Sequence, residues 1–287
     1  MKIKTIFEEK KPILSFEIFP PKKESALLNI DKTLKCLSEM KPDFISVTFG
    51  AGGSTTNNST VEIAKKIKNE YNIEPLVHLT CINYSEAQIC DILDQLNGAD
   101  IKNILALRGD INPEFERKND FRYASDLVTY IKQYGDFGIS GACYPESHFE
   151  AKNISEDILN LKKKTDNGAS HLISQLFFDN KLFYSFRDKV RAAGITAPIE
   201  AGIMPVINKT QIEKMISLCG ASLPADLIKM IQKYENNSDA LFDAGIEYSI
   251  EQIKDLLEHD VVGIHIFTMN NPVVARKIYE GIKSYYK

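Results

Sequence analysis

Short runs of β-branched and apolar residues recur along the chain, each followed by a turn and then by residues with helical periodicity. In order they are Ile13 to Phe19, Phe44 to Phe49, Leu76 to Cys81, Asn103 to Leu107, Gly138 to Cys143, His171 to Phe178, Ile199 to Met204 and Val261 to Phe267. Between them lie amphipathic stretches: Ser25 to Met40, Asn58 to Tyr71, Ser85 to Asn97, Tyr123 to Tyr134, Ser155 to Thr165 and Asp179 to Ala193. In the first, Leu27, Ile30, Leu34 and Leu37 follow at steps of three and four, which is one helix face. Gln211 to Leu218, Pro224 to Tyr234 and Ala240 to Glu258 add helical patterns before the last strand, with Leu223-Pro224 as a helix start. No Ser/Pro/Gly-rich linker, low-complexity break or strict internal repeat interrupts the alternation. The expected architecture is α/β, a single (β/α)8 TIM barrel domain over residues 1–287 with extra helices before the last strand.

Strand parity then sorts the polar residues. Ligands of such barrels gather at the C-terminal strand ends, and side chains alternate between the helix-facing and interior faces. In SFEIFPP, Phe16 and Ile18 share a face, so Glu17 points inward near the mouth, and Pro20-Pro21 ends the strand. In ISVTFG, Ile45, Val47 and Phe49 leave Ser46 and Thr48 inward; in LVHLTC, Val77, Leu79 and Cys81 leave His78 and Thr80 inward. A carboxylate among apolar groups is costly unless paired or protonated, so Glu17 is expected to have a raised pKa and to donate a proton near neutrality.

Composition narrows the function. The 287 residues are 44% hydrophobic and 26% charged, with a formal net charge of −4 and no basic block, which argues against a nucleic-acid partner. MKIKTIFEEKKPI is too charged for a signal peptide, and no run approaches the roughly 20 apolar residues that span a bilayer, so no membrane association and a soluble cytoplasmic protein are expected. Cys36, Cys81, Cys90, Cys143 and Cys219 include no C-x-x-C pair, and the five histidines lack ligand spacing, so no metal is expected.

Further candidates lie at strand ends. Leu107-Arg108-Gly109-Asp110 closes the fourth strand with a cation, a permissive glycine and a carboxylate; Arg108 and Asp110 could equally form a structural ion pair. Ala142 to His148 closes the fifth, and Gln175 lies within the apolar sixth run, where its amide needs partners. Thr48 and His78, taken singly, could be satisfied core residues. GAGGST, residues 50–55, lacks the Lys-Ser/Thr of a P-loop and the spacing of a dinucleotide fingerprint, leaving a ligand-facing turn. Asp157, Asn160 and Lys164 share a helix face with Lys163 beside them, either a solvated face or one suited to a phosphate-bearing cofactor.

SFEIFPPK, ISVTFGAGGST, HLTCI, ILALRGD, YPESH, SQLFFD and GIMPV, in this order and spacing, resemble the 5,10-methylenetetrahydrofolate reductases of the bacterial, catalytic-domain-only type. The resemblance covers nearly the whole chain. It implies a flavin-dependent oxidoreductase of one-carbon metabolism, serving methionine biosynthesis. Noncovalent FAD would take hydride from NADH or NADPH and pass it, in ping-pong fashion, to methylenetetrahydrofolate, giving 5-methyltetrahydrofolate. It also implies a homo-oligomer. Carried over by resemblance, Glu17 is the general acid that protonates folate N10, and Asp110 is the carboxylate at the pterin. Gln175, Gln211 and Thr48 match substrate-contacting positions. Phe49, Ala51, His78, Arg108, Gly109, Asp110, Ala124, Tyr144, His148, Ala151, Asp157, Asn160, Lys163 and Lys164 match FAD-contacting ones. Met215 and Asn271 stand where a better-known relative has phenylalanine and arginine. The alternatives are a folate-binding barrel methyltransferase without flavin and a noncatalytic barrel subunit.

Overall fold

The computed structural model describes residues 1–21, 27–49, 56–111 and 118–286, and of residues 27, 28, 56–58 and 218 the backbone alone. All eight strands form: β1 (Ile13–Ile18), β2 (Phe44–Val47), β3 (Glu74–Thr80), β4 (Asn103–Leu107), β5 (Gly138–Cys143), β6 (His171–Ser174), β7 (Ile199–Ile203) and β8 (Gly263–Phe267). They pair in parallel and in sequence order, and β8 closes on β1 with Ser15 opposite His265 and Glu17 opposite Phe267. The barrel expectation is met.

The parity also holds. Phe16, Ile18, Ile45, Val47, Ala201, Ile203, Ile264 and Ile266 join helix residues in one apolar shell, while Val77, Leu79, Cys81, Ile104 and Ala106 join a second. The first shell includes Ile30, Leu34 and Leu37 of α2 (Leu27–Ser38), and the side chain of Leu27 lies outside the described ones. Burial of these faces supplies most of the driving force, at roughly 25 cal/mol per Å² of apolar surface.

An element the periodicity reading passed over precedes the barrel. α1 (Ile3–Glu9) sets Ile3, Ile6 and Phe7 against Ile13, Phe44, Leu76, Leu105 and Ile173, the inward residues at the N-terminal end. The Asn103 side chain accepts from the Ile3 amide at 2.9 Å and donates to the Met1 carbonyl at 2.9 Å, tying this plug to β4. The barrel floor is thereby sealed, leaving polar interior groups access to water only at the mouth.

The extra helices are α8 (Lys209–Cys219), α9 (Ala225–Tyr234) and α10 (Ser238–Glu258), between β7 and β8. Asn208 and Asn237 cap α8 and α10 by accepting backbone N–H bonds, as N-caps do. α10 passes so close to the exit of β7 that a Cβ on Gly245 would stand 1.6 Å from the Val206 carbonyl oxygen.

Two strands stop earlier than their apolar runs. β1 ends at Ile18 because Asn270 claims both backbone groups of Phe19, accepting its N–H at 3.0 Å and donating to its carbonyl at 2.8 Å. β6 ends at Ser174: the Gln175 side-chain oxygen accepts from the Leu176 amide at 2.9 Å, and Leu176 and Phe178 turn into the cluster around α8 and α9. No helix of the described residues is long and apolar enough to cross a membrane.

Candidate active site

Glu17 points into the barrel near its mouth, with a fifth of its side chain exposed. Its Oε2 lies 3.4 Å from Nε2 of His78 on β3 and 3.5 Å from Nε2 of His265 on β8. Below it, Ser15 Oγ stands 2.7 Å from His265 Nδ1, and Ser46 Oγ stands 3.4 Å from His265 Nε2. Thr268 secures the strand end by donating its hydroxyl to the Glu17 carbonyl at 2.6 Å. Burial pushes the Glu17 carboxyl up. The hydrogen-bonding contact with His265, the charges of His78 and His265 and the contact with Ser46 together outweigh it and hold the group below its ordinary value. The expected raised pKa is therefore corrected: strand parity identified the inward carboxylate but not the two imidazoles that face it. His78 is itself shifted down, chiefly by burial against the opposing pull of Glu17, and its Nε2 makes no hydrogen bond among the described residues.

A second group forms on the rim above β4 and β5. Arg108 forms a bidentate pair with Glu150, one branch at 2.7 Å, so of the two alternatives left open the Arg108–Asp110 ion pair is not the one formed. Gly109 has φ +86°, and a Cβ there would meet the Thr80 Cβ at 3.0 Å. Glycine is thus required for the turn that carries Asp110, which is exposed.

On α6 (Ile154–Asn167), capped by Asn153, Asp157 accepts the His148 amide at 3.1 Å. Burial raises its pKa, against the hydrogen bond from His148 and the charge of Lys164. Lys164 reaches inward to the Ala142 carbonyl, its Nζ 6.0 Å from the centre of the Tyr144 ring, and burial pulls its ammonium down. Tyr144 meets the His148 ring edge-on at 4.7 Å, and burial pushes its hydroxyl well up. His148 Nδ1 accepts from the Glu150 amide at 3.2 Å, and burial and Arg108 lower the pKa of the ring. The helix face is thus split: Asp157 and Lys164 turn toward the mouth, while Asn160 and Lys163 are exposed.

Among the remaining candidates, Thr48 is half-buried and Phe49 packs edge-on against Tyr84 at 5.8 Å. Ala124 opens α5 (Ala124–Tyr134), and Ala151 donates to the His148 carbonyl at 2.9 Å. Gln175 donates its amide N–H to Cys143 at 2.7 Å. Gln211, in the first turn of α8, points its Nε2 at the Met204 sulfur, 3.6 Å away. Met215 joins the apolar cluster of α8 and α9, and Asn271 caps α11 (Pro272–Ile282) by accepting from Val273 and Val274. Ala51 and the GAGGST turn lie outside the described residues. The described residues hold no group of three or more His, Cys, Asp or Glu that could bind a metal.

Sequence reasoning missed His265, Ser15, Glu150 and Ser147. The first two obey the same parity that found Glu17. Ser147, in YPESH, has φ +73° and a buried hydroxyl with no hydrogen bond among the described residues. The whole arrangement can pass a proton at Glu17 and hold an anionic, aromatic ligand along the rim.

The chain is 38% identical over 265 residues to a 5,10-methylenetetrahydrofolate reductase of Pectobacterium carotovorum subsp. carotovorum, covering 92% of this chain and 88% of that one. It is 37% identical to the Escherichia coli K12 protein of that name, with the same coverage. Against methylenetetrahydrofolate reductase (NADH) 1 of Arabidopsis thaliana it is 37% identical over 94% of its own length but spans 48% of the plant protein. In fold it is similar to a Clostridium thermocellum protein described as binding two copies of 5-methyl-5,6,7,8-tetrahydrofolic acid, with TM-score 0.67, 14% identity and coverage of 100% and 99% of the two chains. The methylenetetrahydrofolate reductase profile matches residues 2–283, from the helix that plugs the barrel floor to the end of α11, and the chain that carries Glu17 at its mouth belongs to that family.

Proposed function

We propose that the chain reduces 5,10-methylenetetrahydrofolate to 5-methyltetrahydrofolate with FAD and NADH or NADPH, Glu17 acting as the acid. The observation that carries this reading is the partly exposed Glu17 carboxylate facing two imidazoles at the barrel mouth. FAD, when bound, accepts hydride from the nicotinamide and donates it to the folate. Lys164, His148 and the Ser147 hydroxyl, which has no hydrogen bond among the described residues, fit the polar parts of such a cofactor, and Tyr144 and Phe49 its aromatic ones. Glu17 delivers a proton to folate N10, opening the five-membered ring. The His265 contact and the charges of His78 and His265 lower the pKa of Glu17 against the pull of burial, which makes it the readier to give up its proton to the folate nitrogen. Asp110, exposed on its turn, offers negative charge to the cation so formed.

The test separates the half-reactions. The purified full chain should take up FAD, and the nicotinamide should bleach it. Glu17→Gln should leave that bleaching unchanged and slow reoxidation by methylenetetrahydrofolate about 100-fold or more. A chain that takes up no flavin, or a variant slowed equally in both halves, refutes the reading.

A further inference from the structure

Glu200, the second residue of β7, is buried inside the barrel, and the proposed chemistry does not use it. A buried carboxylate is tolerated only when its lone pairs are engaged. Its Oε1 accepts the Ser15 hydroxyl at 2.8 Å, and its Oε2 faces Nε2 of His171, on β6, at 2.9 Å. Despite that short approach, neither of these two atoms makes a hydrogen bond among the described residues. His171 Nδ1 is in turn 2.9 Å from Ser140 Oγ. Gly263 makes the room, since a Cβ there would stand 2.7 Å from Glu200 Cγ.

Valence fixes the direction of the chain. A serine hydroxyl has one proton, and an ionised carboxylate can only accept. Oε2 is turned to His171, which leaves Oε1 as the oxygen that accepts from Ser15. Ser15 therefore gives its proton to Glu200 and can only accept from His265, whose Nδ1 stands 2.7 Å away. Nδ1 must carry hydrogen, which leaves Nε2 to face Glu17.

We propose that Glu200 is a positioning residue: through Ser15 it holds His265 as the Nδ1–H tautomer and keeps Nε2 open to exchange a proton with Glu17. The polar groups around this chain are few. His171 and the Tyr286 hydroxyl, which Glu200 helps to push up, lie near Glu200. Glu17, Ser15 and Ser46 face His265, with Phe44 and Phe267 as its ring neighbours, and His78 reaches Glu17 from β3. The catalytic role rests on the reading of Glu17 given above. The tautomer does not.

Nitrogen-15 spectra of histidine-labelled full chain, with no ligand added and His265 assigned through His265→Asn, read the tautomer directly. Wild type should show protonated Nδ1 on His265. Glu200→Met should release it to a mixture. Glu200→Met combined with His171→Met should do the same while leaving no orphaned imidazole, which guards against misfolding of the single variant. Glu200→Gln should restore wild-type behaviour, because its amide oxygen still accepts from Ser15. In turnover, the double variant should slow the folate half-reaction about tenfold, the scale of losing an outer-shell partner, and leave flavin reduction within about twofold. A His265 spectrum identical in wild type and double variant, a wild-type Nε2–H tautomer, or equal slowing of both half-reactions overturns the proposal. A tautomer change in a chain that takes up no flavin supports control by Glu200 and refutes the folate reading instead.

Discussion

Lys164 puts an ammonium where water is scarce, and burial lowers its pKa although Asp157 and Cys143 oppose the shift. A desolvated cation satisfied by one backbone carbonyl weakens the free protein and becomes useful only when an anion arrives. Lys164→Met should therefore leave the melting temperature unchanged or raise it by a few degrees, while flavin affinity falls about tenfold or more. Calorimetry and a flavin titration check the two halves, and a destabilised variant that binds flavin normally would remove Lys164 from the site. Glu17 makes the opposite point about single residues. Its charge, burial and inward direction were legible from SFEIFPP, yet its proton affinity is governed by His78 and His265, which lie on strands remote in sequence.

At the scale of elements, alternation found the eight strands and the interior face of each, because a period of two follows from the pleat alone. Where apolar runs overran their strands, side chains ended them: Asn270 at Phe19 and Gln175 at Leu176. α1 escaped because seven residues are too few for periodicity to weigh against their charges, but its Ile3, Ile6 and Phe7 show the helical spacing once the plug is known. Ile3→Ala should cost about 2–4 kcal/mol, the range for truncating a buried isoleucine, and lower the melting temperature. Flavin and folate binding measured well below that temperature should be unchanged, since the floor lies at the end of the barrel opposite Glu17.

For the whole molecule, two groups facing each other inside the closed barrel both make stability fall as pH falls. Glu17 is held below its ordinary 4.5, so it contributes stability that is present above that value and lost as pH falls through its lower folded value. His78 is held below its ordinary 6.5, so the unfolded chain takes up a proton first as pH falls, and stability is lost below about that value. Thermal stability should hold from pH 8 to 7 and decline from pH 6.5 downward. His78→Gln should make the decline below pH 6.5 shallower, and Glu17→Gln should do so below pH 4.5. Parallel curves for all three proteins would show that neither group governs it.

The sequence by itself determined what is local and periodic: eight strands, their faces, the helices between them, and the inward carboxylate before two prolines. Closure decided the rest. Ser15 and His265 are 250 residues apart, and Ser15 and Glu200 are 185 apart, yet both pairs come within hydrogen-bond distance inside the barrel. The proton affinity of Glu17, the choice of Glu150 as the partner of Arg108 and the inward turn of Lys164 all depend on which groups face one another across that interior. Electrostatic interactions fall off with distance in space, and a sequence pattern carries only distance along the chain.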